Sequence, residues 1–369
     1  MPKLDELGKY AEIPRLGEKE WAHFKMPEIF DLIQRGKRLK NADHVPGMVP
    51  YVSSTANNNG VDDYVEATSS TRVFEDCISL ANSGSVGTAF YEPFRFVASD
   101  HVTALKTPHL SKYVYLFMTA LIEKQGSNFN FNREINDARI RNMQIMLPIT
   151  DSGEPDYGYM EQYVRQKFEA MLSEYRAYIE ARIAELGEPI ELPTLAEKKW
   201  NPFPIVGLFT LIVPGKGKGL NHLNKTDNGG VNYIGATNRN NGVLCRVKED
   251  EYSRSMILDG NCIGFIKNGD GSAGFAIYKA ERFISTSDVL YGYANWVNKY
   301  TGLFFVTAQD MIEHKYSHGY KRNKEHLAGD KVMLPITDSG EPDYEYMEQY
   351  AKNMMLRKYH QYLAFLRSR

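Results

Sequence analysis

The sequence predicts an α+β chain. Two mixed α/β units alternate with two long helices, and the helices pair as an antiparallel coiled coil in a pseudo-twofold repeat. Three observations carry this. Met146–Tyr163 (MLPITDSGEPDYGYMEQY) returns as Met333–Tyr350 (MLPITDSGEPDYEYMEQY), with 17 of 18 positions identical and Gly158 against Glu345 as the exception. A fainter repeat runs through the preceding residues of each half. Each near-identical segment is followed by apolar residues at helical spacing, whereas the preceding residues show short β-prone runs closed by Asn-Gly turns.

The fainter repeat fixes the order of parts. Glu18, Lys19, Trp21, Phe24, Phe30, Leu32, Ile33, Gly36 and Lys37 recur 179 residues later, from Glu197 to Lys216. Tyr51, Thr55, Asn58, Asn59, Gly60 and Val61 recur at an offset of 182, and Gly84, Ser85, Gly87, Tyr91, Arg95 and Phe96 at 187. Loop insertions in the second copy account for the growing offset. Packing alone tolerates exchanges among similar apolar residues at little cost. Near-identity inside a diverged duplication therefore points to one surface that meets the same partner twice.

Within each unit the elements follow from local signals. Val49–Thr55 and Val231–Thr237 read as strands, emptying into Asn59-Gly60 and Asn241-Gly242 turns. A helix is expected over Ser111–Glu123, with its counterpart in Asp288–Met311. In the shared segments Pro155 and Pro342 suit a first helical turn. Asp156 with Glu161, and Asp343 with Glu345 and Glu348, place negative charge at the positive helix end. Met160, Val164, Phe168, Met171, Tyr175, Tyr178, Ile179, Ile183 and Leu186 then form a packing seam, stopped by Gly187 and Pro189. Met347, Tyr350, Met354, Tyr359, Leu363 and Leu366 repeat that stripe.

Composition bounds the class. Of 369 residues, 43% are apolar and 24% charged, as in ordinary globular proteins. The longest apolar run, Tyr113–Ile122, is too short to span a bilayer, and the N-terminus lacks a signal-peptide core. Cys77, Cys245 and Cys262 form no C-x-x-C pair, which argues for a reducing, cytoplasmic setting and against zinc. Net charge is −2, but its distribution is uneven. Arg35, Lys37, Arg38 and Lys40 form one basic stretch, and Lys216, Lys218, His222 and Lys225 occupy the matching place. Lys315, Lys321, Arg322 and Lys324, with His314, His318 and His326, form a third.

Enzyme-like motifs fail on context. Gly269–Gly274 fits G-x-G-x-x-G, but a strand-like run follows where a helix is needed, so a sheet turn is expected. Pro214–Gly219 lacks the ending of a phosphate loop. Pro155-Asp156 with Glu161 lacks the lysine of a nuclease set, since Tyr163 stands there, and Asn201–Pro204 falls short of an amino-methyltransferase motif. His314 and His318 have no third metal ligand nearby in the sequence. No catalytic or metal site emerges.

Taken together, Gly36–Thr55, the N-N-G-V runs at Asn58–Val61 and Asn240–Val243, Ser85–Tyr91 and the duplicated L-P-I-T-D-S-G-E-P-D-Y resemble the DNA-specificity subunit of type I restriction–modification systems, or of the related type IIB systems. The resemblance covers essentially the whole chain. It implies target-recognition domains at 1–150 and 189–337, spacer helices at 151–188 and 338–369, and a bipartite DNA site read one half per domain. It also implies two docked methylation subunits, with restriction subunits as further partners. The chain itself would then hold no cofactor, and S-adenosylmethionine, ATP and Mg would belong to the partners. The second unit departs from the first at Gly217–Gly219 and Asn238-Arg239.

Base edges are read by Asn or Gln at adenine and by Arg or Lys at guanine, while Ser and Lys on glycine-rich turns suit phosphate. The expected double-stranded-DNA contacts of the first unit are Lys37, Arg38, Lys40, Ser53, Ser54, Thr55, Asn57, Asn58 and Ser85. Those of the second are Lys216, Lys218, Thr237, Asn238, Arg239, Asn240, Ser272, Lys321 and Arg322. Plain turn chemistry is the competing reading for the asparagines. Expected partner contacts are Asp151, Glu154, Asp156, Tyr157 and Tyr159, with Asp338, Glu341, Asp343, Tyr344 and Tyr346. Two rival functions remain open from the residues alone: a protein-binding adaptor without a DNA role, and a nuclease or methyltransferase with unrecognised motifs. The 27 residues Met160–Leu186 would span roughly 40 Å at about 1.5 Å per residue, which fits roughly one DNA turn between half-site centres.

Overall fold

The computed structural model describes residues 13–129, 132–269, 271–317 and 319–367. The N-terminal stretch read above, Asp270 of the glycine-rich motif and His318 of the third basic cluster lie outside the described residues. The chain forms two compact units, Met1–Ala177 and Tyr178–Arg369, and the division falls inside the first long helix.

The first unit is built on two four-stranded sheets. One runs Leu32–Arg35, Val102–Lys106, Cys77–Ala81, Ala89–Glu92, antiparallel throughout. Its central strand, CISLA, is buried at every position, so both faces of the sheet are covered there and Ser79 is buried with its apolar neighbours. The other runs Val61–Val65, Pro46–Val52, Phe96–Ala98, Val73–Phe74, with its middle pair parallel. A separate pair joins Trp21–Lys25 to Gln144–Pro148. The helix Lys112–Gly126 lays Val114, Phe117, Met118 and Ile122 onto a core shared with Ile78, Leu80, Leu105 and Met160. The expected helix stands at its place, whereas the strand expected over Val49–Thr55 runs Pro46–Val52 and leaves Ser53–Thr55 in the loop.

The second unit repeats the plan. Its sheets run Leu211–Pro214, Val289–Tyr293, Cys262–Ile266, Ala276–Lys279 and Val243–Val247, Val231–Ile234, Phe283–Ser285, Ile257–Leu258, and Trp200–Pro204 pairs with Lys331–Pro335. The helix Lys299–Asp310 takes the place of Lys112–Gly126. Gly269 and Gly271–Gly274 lie between the antiparallel strands Cys262–Ile266 and Ala276–Lys279, a sheet turn and no dinucleotide site.

The shared segments fold alike down to single hydrogen bonds. In the first, Thr150 N–H donates to Glu154 O at 2.9 Å, Asp156 N–H donates to Pro148 O at 2.8 Å, and Gly153 turns at φ +84°. In the second, Thr337 N–H donates to Glu341 O at 2.9 Å, Asp343 N–H donates to Pro335 O at 2.8 Å, and Gly340 turns at φ +87°. One expectation is corrected here. Pro155 and Pro342 sit in bridges to Ile149 and Ile336, ahead of the helices rather than in their first turns. The helices begin at Tyr157 and Tyr344, and Asp156 and Asp343 cap them by accepting from the N–H of Tyr159 and Tyr346, each at 2.9 Å.

The long helices are Tyr157–Leu186 and Tyr344–Arg367. Within the second unit, the last turns of the first helix meet the second one. Tyr178 and Arg182 hydrogen-bond the Tyr359 hydroxyl, and Arg182 Nη2 donates to Tyr300 Oη at 3.2 Å. Asn353 holds the segment that leaves the first helix, donating to Ile190 O at 2.7 Å and accepting from Ile190 N–H at 3.2 Å. Among the described residues no helix is long and apolar enough to cross a membrane.

Candidate nucleic-acid interface

In each unit the structure ties a basic stretch to an Asn-rich loop through one tyrosine. Tyr51 lies on the strand leading into the 53–60 loop, and its hydroxyl donates to Leu39 O at 3.2 Å. Its counterpart Tyr233 donates to Lys218 O at 2.8 Å. Lys37, Arg38 and Lys40 are exposed beside the first loop, and Lys216 and Lys218 beside the second. Glycine is required where these stretches cross the sheet edge. A Cβ at Gly36 would stand 2.2 Å from Ala98 O, and one at Gly215 would stand 2.0 Å from Thr286 O.

The loops themselves are strained at matched positions. Asn58 (φ 50°), Asn59 (φ 52°) and Gly60 (φ 76°) turn left-handed in succession, as do Asn240 (φ 48°), Asn241 (φ 49°) and Gly242 (φ 79°). Asn tolerates this region better than other side-chain-bearing residues. In the second unit turn chemistry absorbs both asparagine side chains. Asn240 Nδ2 donates to Val243 O at 3.1 Å, and Asn241 Nδ2 donates to Tyr278 O at 3.0 Å. The loop bases are pinned to the glycine-serine turns. Ser85 N–H donates to Ser54 O at 3.0 Å, Ser272 Oγ donates to Asn238 Oδ1 at 3.0 Å, and Asn238 N–H donates to Ser272 Oγ at 3.3 Å. Thr55 and Thr237 fold the loop locally by accepting from the N–H two residues on, at 3.2 Å each.

The sequence-predicted set therefore divides. Lys37, Arg38, Lys40, Asn57, Asn58, Lys216, Lys218, Arg239 and Lys321 present exposed side chains. Ser53, Ser54, Thr55, Thr237 and Ser85 are half-buried. Ser272 is buried and spent on Asn238, so these two shape the loop. Asn240 is exposed but tied to Val243. Arg322 is a correction: it is fully buried, paired with Asp330 at 2.8 Å, and donates through Nη1 to Gly274 O at 2.9 Å. Burial pulls its guanidinium pKa down, and the Asp330 carboxylate opposes that. Ile135 occupies the matching place in the first unit, also buried. Arg322 turns inward, while Lys321 beside it stays outside.

The expected partner contacts divide in the same way. Asp151, Glu154, Asp338 and Glu341 are exposed at the turns. Asp156 and Asp343 are corrected to intramolecular roles, as caps and as ion-pair partners of Lys19 at 2.8 Å and Lys198 at 2.6 Å. Burial raises the Asp156 pKa, but the Lys19 ammonium and the Tyr159 N–H outweigh it and hold the carboxyl below its usual range. Tyr159 and Tyr346 are buried and donate to Pro14 O and Pro193 O at 2.9 and 2.8 Å. Tyr157 packs on the first core, and Tyr344 stacks on Trp296 with centroids 4.8 Å apart. Much of the shared segment's identity thus serves its own fold.

Two buried charges escaped sequence reasoning. Glu92, on the last strand of the first sheet, is fully buried, accepts from Ser79 Oγ at 2.9 Å, and burial pushes its pKa up to about 7. The matching residue of the second unit is Lys279, equally buried, which pairs with Glu281 at 2.8 Å and donates to Asn241 O at 3.3 Å. Only the repeat register, which sets Glu92 against Lys279, could have flagged them.

Residues 18–174 and 197–361 match the family described as type I restriction modification DNA specificity domain. Over 157 residues the chain is 36% identical to the specificity subunit S.BcgI of a type II restriction enzyme from Heyndrickxia coagulans, covering 42% of this chain and 45% of that relative. The chain therefore spans less than half of that relative's length. The crystal structure of the S subunit of a type I restriction–modification system from M. genitalium superposes with a TM-score of 0.52 at 14% identity, covering 96% of this chain and 94% of the other. The HsdS subunit from Thermoanaerobacter tengcongensis gives 0.30 at 13% identity, covering 94% and 91%. With the family matched twice across most of its length, the chain belongs to the type I restriction–modification DNA specificity family.

Proposed function

We propose that the chain is the non-catalytic DNA-specificity subunit of a restriction–modification complex. It reads a bipartite, asymmetric target, one half-site per unit, and scaffolds two methylation subunits. The observation that carries this is the duplicated construction of tyrosine-tied basic stretch and left-handed loop, with unlike exposed side chains at its matched reading position. Asn57 stands there in the first unit and Arg239 in the second. An amide suits adenine and a guanidinium suits guanine, so the half-sites differ. S-adenosylmethionine, ATP and Mg belong to the partner subunits, restriction subunits join the complex as a further partner class, and the assembly works in the cytoplasm. Single-molecule methylome sequencing of a host carrying the chain with its methylation subunit tests the proposal. Two unlike half-sites split by a non-specific gap are expected, and a short continuous palindrome would overturn it.

A further inference from the structure

Each reading loop rests on a strand that ends in a buried ionisable side chain, an acid in one unit and a base in the other. Ala89–Glu92 ends on Glu92 and Ala276–Lys279 on Lys279, at matched positions and both fully buried. The strands are otherwise held alike. Tyr91 Oη donates to Asp76 Oδ1 at 2.7 Å, and its counterpart Tyr278 donates to Asn261 Oδ1 at 3.0 Å. Asp76 and Asn261 both turn left-handed, at φ 48° and 54°. What differs is where the last side chain goes.

In the second unit it goes to the loop, which meets three consecutive residues of the strand. A Cβ on Gly242 would stand 2.8 Å from Ile277, Tyr278 O accepts from Asn241 Nδ2 at 3.0 Å, and Lys279 Nζ donates to Asn241 O at 3.3 Å. The ammonium is neutralised by the exposed Glu281 at 2.8 Å, which also accepts from Asn232 Nδ2 at 3.1 Å. In the first unit a Cβ on Gly60 would stand 3.6 Å from Phe90, but Glu92 turns away to the Ser79 hydroxyl at 2.9 Å. Ser79 opposes Phe90 across the sheet, and Gly264 stands in that register opposite Ile277, with no hydroxyl to offer. An ionised carboxylate only accepts, so it cannot hold a loop carbonyl as an ammonium does. Among the described residues Asn58 and Asn59 make no side-chain bond matching those of Asn240 and Asn241.

A buried ammonium adds no stability over an apolar side chain of similar volume. What it adds is a charge-assisted bond to one chosen backbone oxygen. That oxygen lies two residues past Arg239, in the left-handed turn from which the Arg239 side chain projects. We propose that Lys279 is a positioning residue for the second half-site: its ammonium fixes the Asn240-Asn241 turn before DNA arrives and so sets which base Arg239 reaches. This rests on the proposed reading of one half-site per unit. A loop fixed in advance loses less freedom on binding and holds its reading side chain to one geometry. The first loop lacks this tie and adapts to its half-site instead.

The test compares methylomes of hosts carrying the full chain, wild type or variant, with its methylation subunit, and thermal melting checks each fold. Lys279→Met keeps the volume and removes the donor. It is expected to relax at least one letter of one half-site, with discrimination there falling roughly tenfold, and to leave the other half-site unchanged. Glu281→Gln removes the ion pair but keeps the ammonium on Asn241 O, so it should lower the melting temperature with every letter intact. A folded Lys279→Met variant with wild-type letters, letters relaxed alike in both half-sites, or equal relaxation by Glu281→Gln each overturns the role of Lys279 alone. Should Lys279→Met fail to fold, hydrogen exchange of the wild-type complex without DNA decides. Exchange roughly tenfold slower through Arg239–Val243 than through Asn57–Val61 is expected, and equal rates overturn the proposal. A wild-type methylome showing a short continuous palindrome overturns the half-site reading, and this inference with it.

Discussion

At the residue scale, the buried Glu92 makes the sharpest forecast. Its folded pKa of about 7 stands above the ordinary 4.5. Its contribution is therefore fully present below the unfolded value and is lost as pH rises through 7. At about 1.4 kcal/mol per pKa unit, the swing is on the order of 3 kcal/mol. Glu92→Gln should melt like the wild type in mild acid and at a higher temperature than the wild type above neutrality; equal melting temperatures there would show the carboxyl to be solvated. Asn57 and Arg239 make a second forecast. Asn57→Ala should relax one position of one half-site, and Arg239→Ala one position of the other, each by about 1–3 kcal/mol of discrimination. Lys37→Ala should weaken all sequences alike and lower the salt slope by about one. Methylomes and salt titrations distinguish these, and an Arg239→Ala variant with unchanged target letters would remove Arg239 from base reading.

At the element scale, what sequence shows depends on whether a residue's neighbours are local. The helix Lys112–Gly126 and both spacer helices were legible, because apolar spacing and turn residues act within a few positions. The basic stretches and Asn loops were legible as candidates because they recur. Arg322 was misplaced, since nothing in a Lys-Arg pair says which side chain turns inward, and Asp330 and Gly274 O, which hold it, lie 8 and 48 residues away. Asp156 and Tyr159 looked like surface signals for a similar reason: Lys19 and Pro14 O are brought to them only by the fold. The first spacer helix supports its own prediction. It has 30 residues, about 45 Å at 1.5 Å per residue. Inserting a few residues within Lys167–Glu180 should lengthen the gap in the DNA target and leave both half-sites unchanged. Altered half-site letters in the methylome of such a variant would show that the helix is no ruler.

At the scale of the whole molecule, the chain is expected to do no chemistry by itself. Purified alone, it should neither methylate nor cleave DNA with S-adenosylmethionine, ATP or Mg supplied, and activity should appear on adding the methylation subunit. Turnover by the isolated chain that a single substitution within it abolished would sink this reading.

The exchange of Glu92 for Lys279 also bears on how such a chain can acquire a new target. The two near-identical segments are long stretches of common text, and a genetic crossover there transplants an entire reading unit with its hidden charge and that charge's partners. A crossover placed inside a unit, between Ser79 and Glu92 for example, would separate the carboxylate from the hydroxyl that donates to it, or part the lysine from the Asn241 carbonyl. The buried charges therefore act as grammar: whole words can be traded between genes, and syllables cannot.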